Sequence, residues 1–352
     1  AEFVIINYDG VSIVEDAVKA ARFDLVIVDE ATHYKNVQTT RWKTLNRILH
    51  EDTWLWMMTG TPAAQSPLDA YGLAKLVNSQ AVPRFFGAFR DMVMYKQTQF
   101  KWAPKETANE TVHYALQPAI RFTKDECLDL PDMVYVKRNV ELTKQQAKYY
   151  EALRKRNVLQ VAGEDVTAVN AAVAMNKLLQ ISAGAVYSDG GDTVRFDIKN
   201  RYNVLKEAIN ESSKKVLVFI PFKHIIDVLS EKLTKDGITC AVIRGDVSVS
   251  NRTNIFKRFQ ETTDPQVLLI QPQAAAHGVT LTAASTVVWW GPTSSLETYA
   301  QANARVHRSG QTSKCTVVQL QGSAVERRVY KLLDARIDVH AKMIDLYKEI
   351  LD

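Results

Sequence analysis

The sequence has few cysteines, no long apolar run and little net charge, and these shortages exclude several classes of protein. Its three cysteines, Cys127, Cys240 and Cys315, lie too far apart for a zinc site or a disulfide framework, and their scarcity is typical of a reducing cytoplasm. No stretch approaches the ~18 apolar residues of a membrane span, and the amino terminus lacks a secretory signal pattern. We therefore predict a soluble, cytoplasmic protein without a membrane partner.

The remaining composition is that of an ordinary globular protein. Hydrophobic residues make up 46% and charged residues 24% of the chain, which argues against extensive disorder. The 44 lysines and arginines exceed the 39 acidic residues by five, so a polyanionic partner is compatible with the charge but not required by it. A length of 352 residues is enough for two domains, each with its own core.

The most informative stretch is residues 24–36, where an apolar run ends in two adjacent carboxylates. Leu25–Val28 is predicted to be a strand buried on both faces of a parallel sheet, which puts Asp29 and Glu30 at its carboxyl end. Ligands bind at that edge of open α/β sheets, and two carboxylates there suit a nucleotide with Mg²⁺. From these residues alone, a strand followed by a solvated acidic turn is an equally good interpretation.

Alternating strand and helix patterns surround this stretch. Residues 3–6 are predicted to be a strand and residues 11–21 a helix, which together with Leu25–Val28 make a βαβ unit. A helix at residues 39–50 leads to a second buried strand at residues 54–58. That strand runs into Thr59-Gly60-Thr61-Pro62, whose hydroxyls could bond the neighbouring acids, although a plain turn before a helix is the simpler explanation.

The middle of the chain has helical patterns, and regular strand-helix alternation returns after it. The aromatic-rich residues 71–102 are expected to pack against one another rather than to stack on bases. The basic helix at Lys144–Val161 is interpreted as a solvated charged face rather than a phosphate-binding surface. The Gly-Gly step at residues 190–191 is the best candidate for a domain junction. Five strands with intervening helices follow it, which predicts a second parallel-sheet domain.

Residues 301–311 carry the most specific pattern in the chain. Arg305 and Arg308 are three positions apart, so a helix would bring both guanidinium groups to one side. Such groups suit the charge that develops on a transferring γ-phosphate. The alternative from these residues alone is a surface helix that ends in a Ser-Gly turn.

With these motifs in this order, the chain resembles the SNF2-like branch of the superfamily 2 helicases nearly end to end. The amino acids in these motifs are most similar to those of phage and bacterial members of the family. The matching segments are Asp29-Glu30 with Lys35-Asn36 (Walker B), Thr59-Gly60-Thr61-Pro62 (the motif that couples ATP to DNA), Leu130-Pro131 before the second lobe, Arg244-Gly245-Asp246 with Arg252, Phe256 and Phe259, residues 271–282 (motif V) and residues 301–311 (motif VI).

The resemblance implies an α/β fold of two RecA-like parallel-sheet lobes with ATP between them. Residues 1–95 would be the remainder of a first lobe that is incomplete at its amino end. Residues 96–190 would be a helical insertion and linker, and residues 191–352 the second lobe with a carboxyl-terminal helix. The activity implied is that of a DNA-dependent ATPase that translocates on double-stranded DNA rather than separating its strands.

The resemblance also assigns roles to individual residues. Asp29 would hold Mg²⁺ through water, Glu30 would act as base or water-positioner, and Arg305 and Arg308 would reach the γ-phosphate. The other residues implied are Gln301, Gly278 and Thr59 for nucleotide binding, Thr32, Gly60 and Thr61 for coupling, and Asn7, Tyr8, Lys35, Arg244 and Thr280 for DNA contact.

Two departures from the family pattern stand out. Thr32 occupies the place where the family often has a histidine, and His33 follows one position later, so we expect the coupling to be altered in detail. None of the 14 glycines is followed by lysine, so the Gly-Lys-Thr/Ser phosphate loop (Walker A) is absent. The chain is then either a fragment cut inside the first lobe or a member that has lost the loop, and alone it is expected to be inactive. A DNA-binding or scaffold module without ATPase activity is the alternative function.

Overall fold

The computed structural model describes residues 2–60, 62–63, 66–98, 102–122, 124–161, 168–187, 193–275 and 278–336, with residues 339, 346 and 349 beyond them. The chain divides into two compact units, Ala1–Thr123 (unit 1) and Lys124–Asp352 (unit 2). None of the helices in the described part is both long enough and apolar enough to span a membrane.

Unit 1 is built around one pair of parallel strands. Its elements are α1 (Tyr8–Val11), α2 (Glu15–Ala21), β1 (Leu25–Val28), α3 (Thr40–Ile48), β2 (Trp54–Met57), α4 (Ala70–Val77), α5 (Phe86–Val93), β3 (Met94–Lys96), β4 (Trp102–Pro104) and α6 (Ala108–Ala115), with 3₁₀ turns at Ala31–Tyr34 and Pro67–Asp69. Strand β1 pairs with β2 in parallel, and β3 pairs with β4 antiparallel.

Helix α3 covers one face of the β1–β2 pair. It begins at Thr39, whose hydroxyl oxygen accepts a hydrogen bond from the backbone N–H of Trp42 at 3.2 Å. This side chain satisfies one of the backbone donors that a helix start leaves unpaired. Val28, Tyr34 and Leu45 form a buried cluster between the strands and the helix. The 3₁₀ turn after β1 is therefore anchored in the core of unit 1.

The aromatic-rich segment forms a second cluster in unit 1. Tyr71, Phe89 and Val93 are buried among helices α4, α5 and α6, which confirms packing as the role of these aromatic residues. Phe85 and Phe86 in the same segment remain exposed.

Two strand predictions in unit 1 are wrong. Residues 3–6 form no strand, and Ile5 is 99% exposed, because an apolar run becomes a strand only when another strand hydrogen-bonds to it. Strands β1 and β2 form but are not buried on both faces: Ile27, Trp54 and Trp56 are 52%, 73% and 56% exposed. These side chains share the face opposite α3, which no layer of the described residues covers.

Unit 2 is a six-stranded sheet with helices on both faces. Its elements are α7 (Lys124–Cys127), β5 (Met133–Asn139), α8 (Lys144–Val161), α9 (Ala168–Ala183), β6 (Ala185–Tyr187), β7 (Thr193–Arg195), α10 (Lys199–Glu211), β8 (Lys215–Phe219), α11 (Lys223–Lys235), β9 (Cys240–Ile243), α12 (Val249–Glu261), β10 (Val267–Ile270), β11 (Ala284–Trp289), α13 (Leu296–Asn303), β12 (Cys315–Gln321) and α14 (Ala324–Asp334). The sheet order is β5-β12-β11-β8-β10-β9, with every pair parallel.

The centre of this sheet is buried on both faces. Every residue of β10 and β11 is buried, as expected for parallel strands covered by helices on both sides. Trp289 and Trp290 are fully buried. Their indole N–H groups donate to Asn303 Oδ1 at 2.9 Å and to the carbonyl of Ala183 at 2.8 Å. The predicted second parallel-sheet domain is confirmed.

The segment 96–190, expected to be an insertion and linker, divides between the two units, with residues 96–123 in unit 1 and residues 124–187 in unit 2. Strand β5 pairs with β12 along its whole length, from Met133 to Asn139, and Tyr150 and Leu178 from α8 and α9 enter the core of unit 2. The pairing of β5 with the distant strand β12 therefore assigns residues 124–187 to unit 2. The predicted junction at residues 190–191 lies outside the described residues. Most residues that follow α14 in the predicted carboxyl-terminal helix also lie outside them.

Candidate functional site

The two predicted catalytic acids lie at the carboxyl end of β1, where both are exposed. The main chain on either side of them is tied to β2: Met58 N–H donates to Val28 O and Ala31 N–H donates to Met58 O, each at 2.8 Å. The backbone N–H of Glu30 donates to Asp29 Oδ1 at 3.0 Å. The turn is therefore fixed by backbone bonds, while both carboxylates remain accessible to water and ligands.

Glu30 has a left-handed backbone conformation, with φ 49° and ψ 53°. It caps the 3₁₀ turn Ala31–Tyr34, whose first and last residues are buried. A residue with a side chain pays roughly 1–2 kcal/mol for this conformation. Such strain persists only where the surrounding structure imposes it, and it concentrates at functional sites.

A cluster around Tyr8, which lies in α1, supports the turn formed by Asp29 and Glu30, which we call the acid turn. The Tyr8 hydroxyl donates a hydrogen bond to the backbone carbonyl of Asp29. Its ring lies 4.8 Å from the ring of His33 and 5.6 Å from that of Tyr34, and the Arg41 guanidinium lies 5.3 Å from its centre. Burial and then the charges of Asp29 and Glu30 raise the pKa of Tyr8, while Arg41 opposes them. Tyr8, predicted to contact DNA, is thus bonded to the Walker B turn.

The other DNA residues predicted for unit 1 also have partners within it. The Asn7 side chain caps α1 by accepting from Gly10 N–H at 2.7 Å. Lys35 Nζ lies 3.4 Å from Asp69 Oδ2, so part of its charge is balanced.

The predicted coupling residues are placed at the same sheet edge as the acids. Thr59 and Gly60 follow Met58, which is bonded to both sides of the acid turn. Thr32 lies in the 3₁₀ turn, and Thr61 lies outside the described residues. The ring of His33 faces the Tyr8 cluster instead, with Nδ1 3.4 Å from Arg41 Nη1.

The two predicted arginines of unit 2 lie after α13 and not on it. The helix ends at Asn303, so the expectation that a helix presents both guanidinium groups together is wrong. Arg305 is 3% exposed, and its carbonyl accepts from Leu281 N–H at 2.9 Å. Arg308 is more accessible, and its Nη1 donates to Gly278 O at 3.4 Å. We call residues 304–308 the arginine turn.

Gly278 and Arg308, both predicted to bind nucleotide, are therefore in contact. Gln301, another predicted nucleotide residue, lies on α13, where its Nε2 donates to Glu297 Oε1 at 3.2 Å. Thr280 is exposed in the segment between Gly278 and β11.

Arg244, a predicted DNA contact, is held by two carboxylates. Its Nη1 donates to Asp227 Oδ1 at 2.6 Å and its Nε to Asp246 Oδ1 at 2.8 Å. The hydrogen bonds to Asp227 and then Asp246 raise the pKa of the guanidinium further. Its positive charge is locally balanced, so a phosphate would have to compete with these acids.

Residues 1–183 match the model of the SNF2-related domain, and residues 200–310 match the helicase conserved C-terminal domain. The chain belongs to the SNF2 family. The first match alone covers more than half of the 352 residues. Similar proteins include the uncharacterized ATP-dependent helicase MG018 of Mycoplasma genitalium, 27% identical over 92% of this chain and 31% of its own length. Putative protein p41 of Acyrthosiphon pisum secondary endosymbiont phage 1 is 26% identical over 87% of this chain and 67% of its own.

The chain spans about a third of the length of the Mycoplasma helicases it matches. Among solved structures, the SWI2/SNF2 ATPase core of Sulfolobus solfataricus in complex with dsDNA has a TM-score of 0.50 at 20% identity, covering 96% of this chain and 75% of its own. The C-terminal part of the Fun30 ATPase domain has a TM-score of 0.51 at 18% identity, covering 64% of this chain and 98% of its own. These likenesses confirm the predicted α/β fold of SNF2 ATPase cores with RecA-like lobes.

The acid turn of this SNF2 chain fits Mg²⁺ only as part of a larger ligand set. No group of three or more His, Cys, Asp or Glu side chains suited to hold a metal occurs among the described residues. Mg²⁺ commonly takes one or two carboxylates together with waters and substrate phosphates. The exposed Asp29 carboxylate is suited to that arrangement.

Sequence reasoning missed two glutamine side chains of the SNF2 core. Gln311 is 4% exposed, and its side-chain amide bonds the backbone of Val306 within the arginine turn, of Ala284 at the start of β11 and of Ser313 after the turn. Gln260 reaches from α12 to the segment before β11. The sequence signal for Gln311 is its place at the end of the motif VI segment, residues 301–311, whereas Gln260 has none, because its partners are twenty-two or more positions away.

Proposed function

We propose that this chain is the ATPase core of an SNF2-type motor that hydrolyses ATP to move on double-stranded DNA. The observation that carries the proposal is the strained acid turn, in which Glu30 is held in a left-handed conformation beside Asp29 at the carboxyl end of a parallel strand. Arg22 and Arg336 adopt the same conformation at helix ends, where it is common, whereas Glu30 adopts it directly after a strand and beside Asp29. The family membership supports ATP use.

In this proposal the two acids have different roles. Glu30 orients the attacking water and accepts its proton as the water oxygen bonds to the γ-phosphorus, while the bond from that phosphorus to the oxygen bridging it to the β-phosphate breaks and ADP leaves. Asp29 would hold Mg²⁺ through water, and the ion would supply charge neutralisation at the phosphates when bound. Tyr8 fixes the backbone between the strand and Glu30 through its bond to Asp29 O.

Arg305 and Arg308 would stabilise the negative charge that grows on the γ-phosphate. Guanidinium groups in this role contribute strongly to turnover in phosphoryl transfer. Arg308 has the more accessible side chain, while Arg305 is almost fully buried. We therefore assign direct phosphate contact to Arg308 first.

DNA is the proposed partner, with contacts at the sugar-phosphate backbone. The related Sulfolobus solfataricus core was solved with dsDNA, and Thr280 lies exposed in the motif V segment of this chain. Arg244 would contribute a second contact, although it shares its charge with Asp227 and Asp246. Backbone contacts of this kind give affinity without base specificity.

The second candidate is a DNA-binding module that does not hydrolyse ATP. It is favoured by one observation: no glycine of the chain is followed by lysine, so the phosphate-gripping loop is absent from this sequence.

ATP hydrolysis with and without double-stranded DNA tests the two functions against each other. We would compare this polypeptide with one extended upstream in its coding sequence to include any phosphate loop. DNA-stimulated turnover in either form supports the motor. Intact DNA binding without turnover in both forms contradicts it and supports the non-catalytic module.

The Glu30→Gln variant is the matched control in whichever form hydrolyses ATP. It keeps the shape of the side chain but cannot take up the proton. We expect nucleotide binding to persist and turnover to fall at least ~100-fold. Turnover equal to that of the unaltered protein would overturn the role of Glu30.

A further inference from the structure

Helix α12 holds two loops of unit 2 through two polar side chains. Near its start, Arg252 donates from Nε to Val247 O at 2.9 Å and from Nη2 to Gly245 O at 2.9 Å. Near its end, Gln260 donates from Nε2 to Thr282 Oγ1 at 2.9 Å and accepts from Ala283 N–H at 3.1 Å. One helix thus grips the loop at residues 244–247, which includes Arg244, and the segment that leads into β11.

The same segment is gripped from its other side by Gln311. The Gln311 side-chain amide donates to Ala284 O at 2.9 Å and to Val306 O at 3.0 Å, with a longer contact of 3.4 Å to Thr282 O. In addition, Leu281 N–H donates to Arg305 O at 2.9 Å. Residues 281–284 are therefore bonded to α12 on one side and to the arginine turn on the other.

These hydrogen bonds connect the loop at residues 244–247, helix α12, residues 281–284 and the arginine turn within unit 2. Arg252 and Gln260 are eight residues apart, which is about 12 Å along a helix axis. Phe256 and Phe259, between them, are buried in the core, so α12 moves as a rigid body with its packed face. Within the described residues, Arg252 bonds backbone carbonyls, and Gln260 bonds the backbone N–H of Ala283 and the hydroxyl of Thr282, so a shift of either loop acts on the helix.

We infer that α12 couples DNA contact at residues 244–247 to the position of the arginine turn, with Gln260 as the positioning residue that links the helix to residues 281–284. The inference rests on the proposed function, because it needs DNA at one end and nucleotide at the other. Gln260 touches neither in this scheme. Its contribution is to make the two loops move together.

Hydrogen exchange of the full chain tests this coupling without requiring ATP turnover. Amide exchange of residues 304–308 is measured with and without a short DNA duplex of mixed sequence. The variant is Gln260→Ala, which removes both side-chain hydrogen bonds of Gln260. Because this position is exposed, the fold remains intact. The control is Asn254→Ala, an exposed residue of the same helix that makes no side-chain hydrogen bond in the described part of the chain.

We expect DNA to change exchange in the arginine turn of the unaltered chain and of Asn254→Ala. In Gln260→Ala the response should shrink at least fivefold, the lower end of ordinary coupling strengths, while DNA affinity stays unchanged and the melting temperature falls only modestly through the loss of two exposed hydrogen bonds. If Gln260 had only a structural role, Gln260→Ala would lower the melting temperature, but its exchange response to DNA would equal that of the unaltered chain.

The outcomes separate the inference from the function on which it rests. DNA binding with an equal exchange response in Gln260→Ala and the unaltered chain overturns the coupling role and leaves the motor proposal standing. DNA binding without any response in the unaltered arginine turn also overturns the coupling. Failure of the unaltered chain to bind the duplex counts against the proposed function itself, and the inference falls with it.

Discussion

The hydroxyl of Tyr8 donates a hydrogen bond to the backbone carbonyl of Asp29. It ties helix α1 to the turn that carries both acids, and it uses the polar atom that a DNA contact would need. His33 and Arg41 close around the same ring, so the side chain is held in place by three neighbours.

Removing this hydroxyl tests whether Tyr8 supports the acid turn. In Tyr8→Phe, we expect the free energy of unfolding of unit 1 to fall by about 1 kcal/mol, the usual net worth of one hydrogen bond, with DNA affinity unchanged. Urea unfolding and duplex titration measure the two quantities. Tyr114→Phe, at an exposed tyrosine, is the control. Weaker DNA binding at unchanged stability would instead support the DNA role predicted for Tyr8.

The left-handed backbone of Glu30 lowers the stability of unit 1, and glycine at this position should relieve that cost. Glycine adopts φ 49° without the cost of a side chain, although it adds entropy to the unfolded chain, so Glu30→Gly should stabilise unit 1 by up to about 1 kcal/mol. Glu30→Gln keeps the strain and should match the unaltered stability. Urea midpoints compare the three proteins. A glycine variant less stable than the glutamine variant would mean that the Glu30 side chain itself stabilises the turn.

Gly72 allows α4 to approach the chain just after the acid turn. A Cβ at this position would lie 2.2 Å from Lys35 O and 2.5 Å from Lys35 C, and Gly72 O also accepts from Trp42 Nε1 at 2.9 Å. We expect Gly72→Ala to destabilise unit 1 by about 1–3 kcal/mol through overpacking.

Gly87 provides the matched control for that substitution. It lies in α5, and apart from its chain neighbours and the backbone of its own helix no described atom lies within 4 Å of the position that an alanine methyl would occupy there, so Gly87→Ala should be neutral or stabilising by up to ~1 kcal/mol. Thermal unfolding of both variants checks the pair. Equal effects of the two alanines would show that the close approach at Gly72 relaxes without cost.

Arg201 and Glu326 form an ion pair in the interior of unit 2. Their side chains are 3% and 0% exposed and meet at 2.7 Å. Arg201 also donates to Trp290 O, and Glu326 accepts from Gly322 N–H at 2.6 Å. Because Glu326→Ala leaves a buried guanidinium without its counter-charge, we expect it to cost about 3–5 kcal/mol.

A surface pair supplies the comparison for this prediction. Glu211 pairs with Arg138, but their side chains are 56% and 35% exposed, so Glu211→Ala should cost at most about 1 kcal/mol. Urea unfolding of unit 2 measures both. Similar losses in the two variants would contradict a special role for burial.

Tyr202 predicts how stability depends on pH in the alkaline range. Burial and then its hydrogen bond to Asp236 raise the pKa of Tyr202 above the ordinary value of 10.0. The folded chain therefore keeps a proton that the unfolded chain loses, so this contribution is complete below about pH 10 and declines above it. The difference in unfolding free energy between the unaltered chain and Tyr202→Phe should shrink as the pH rises through about 10. A difference that is constant with pH would contradict the raised pKa.

Elements with a strong local pattern could be predicted from the sequence, whereas long-range contacts could not. The helix Lys144–Val161 has in the structure the bounds expected from its sequence, because no Gly or Pro interrupts it. The strand expected at residues 3–6 is absent, since a strand depends on a neighbour that the local pattern does not reveal. Arg201 and Glu326 are 125 positions apart, and only the folded chain brings them together.

The candidate site divides in the same way. The position of Asp29 and Glu30 after β1 follows from the apolar run before them, and the structure agrees with it. Helix α13 ends before Arg305, whose carbonyl accepts from Leu281 N–H, and the spacing of the two arginines does not encode this long-range contact. The bond from Tyr8 to Asp29 likewise joins residues 21 positions apart, which no local pattern connects.

The tryptophans give the two units different optical properties. Trp289 and Trp290 of unit 2 are fully buried, whereas Trp54 and Trp56 of unit 1 are more than half exposed. Indole fluorescence shifts to shorter wavelength in apolar surroundings and is quenched by dissolved acrylamide only where collisions reach the ring. Emission from unit 2 should therefore be blue-shifted and protected, and emission from Trp54 and Trp56 red-shifted and quenchable, with the partly buried Trp42 and Trp102 of unit 1 between these limits.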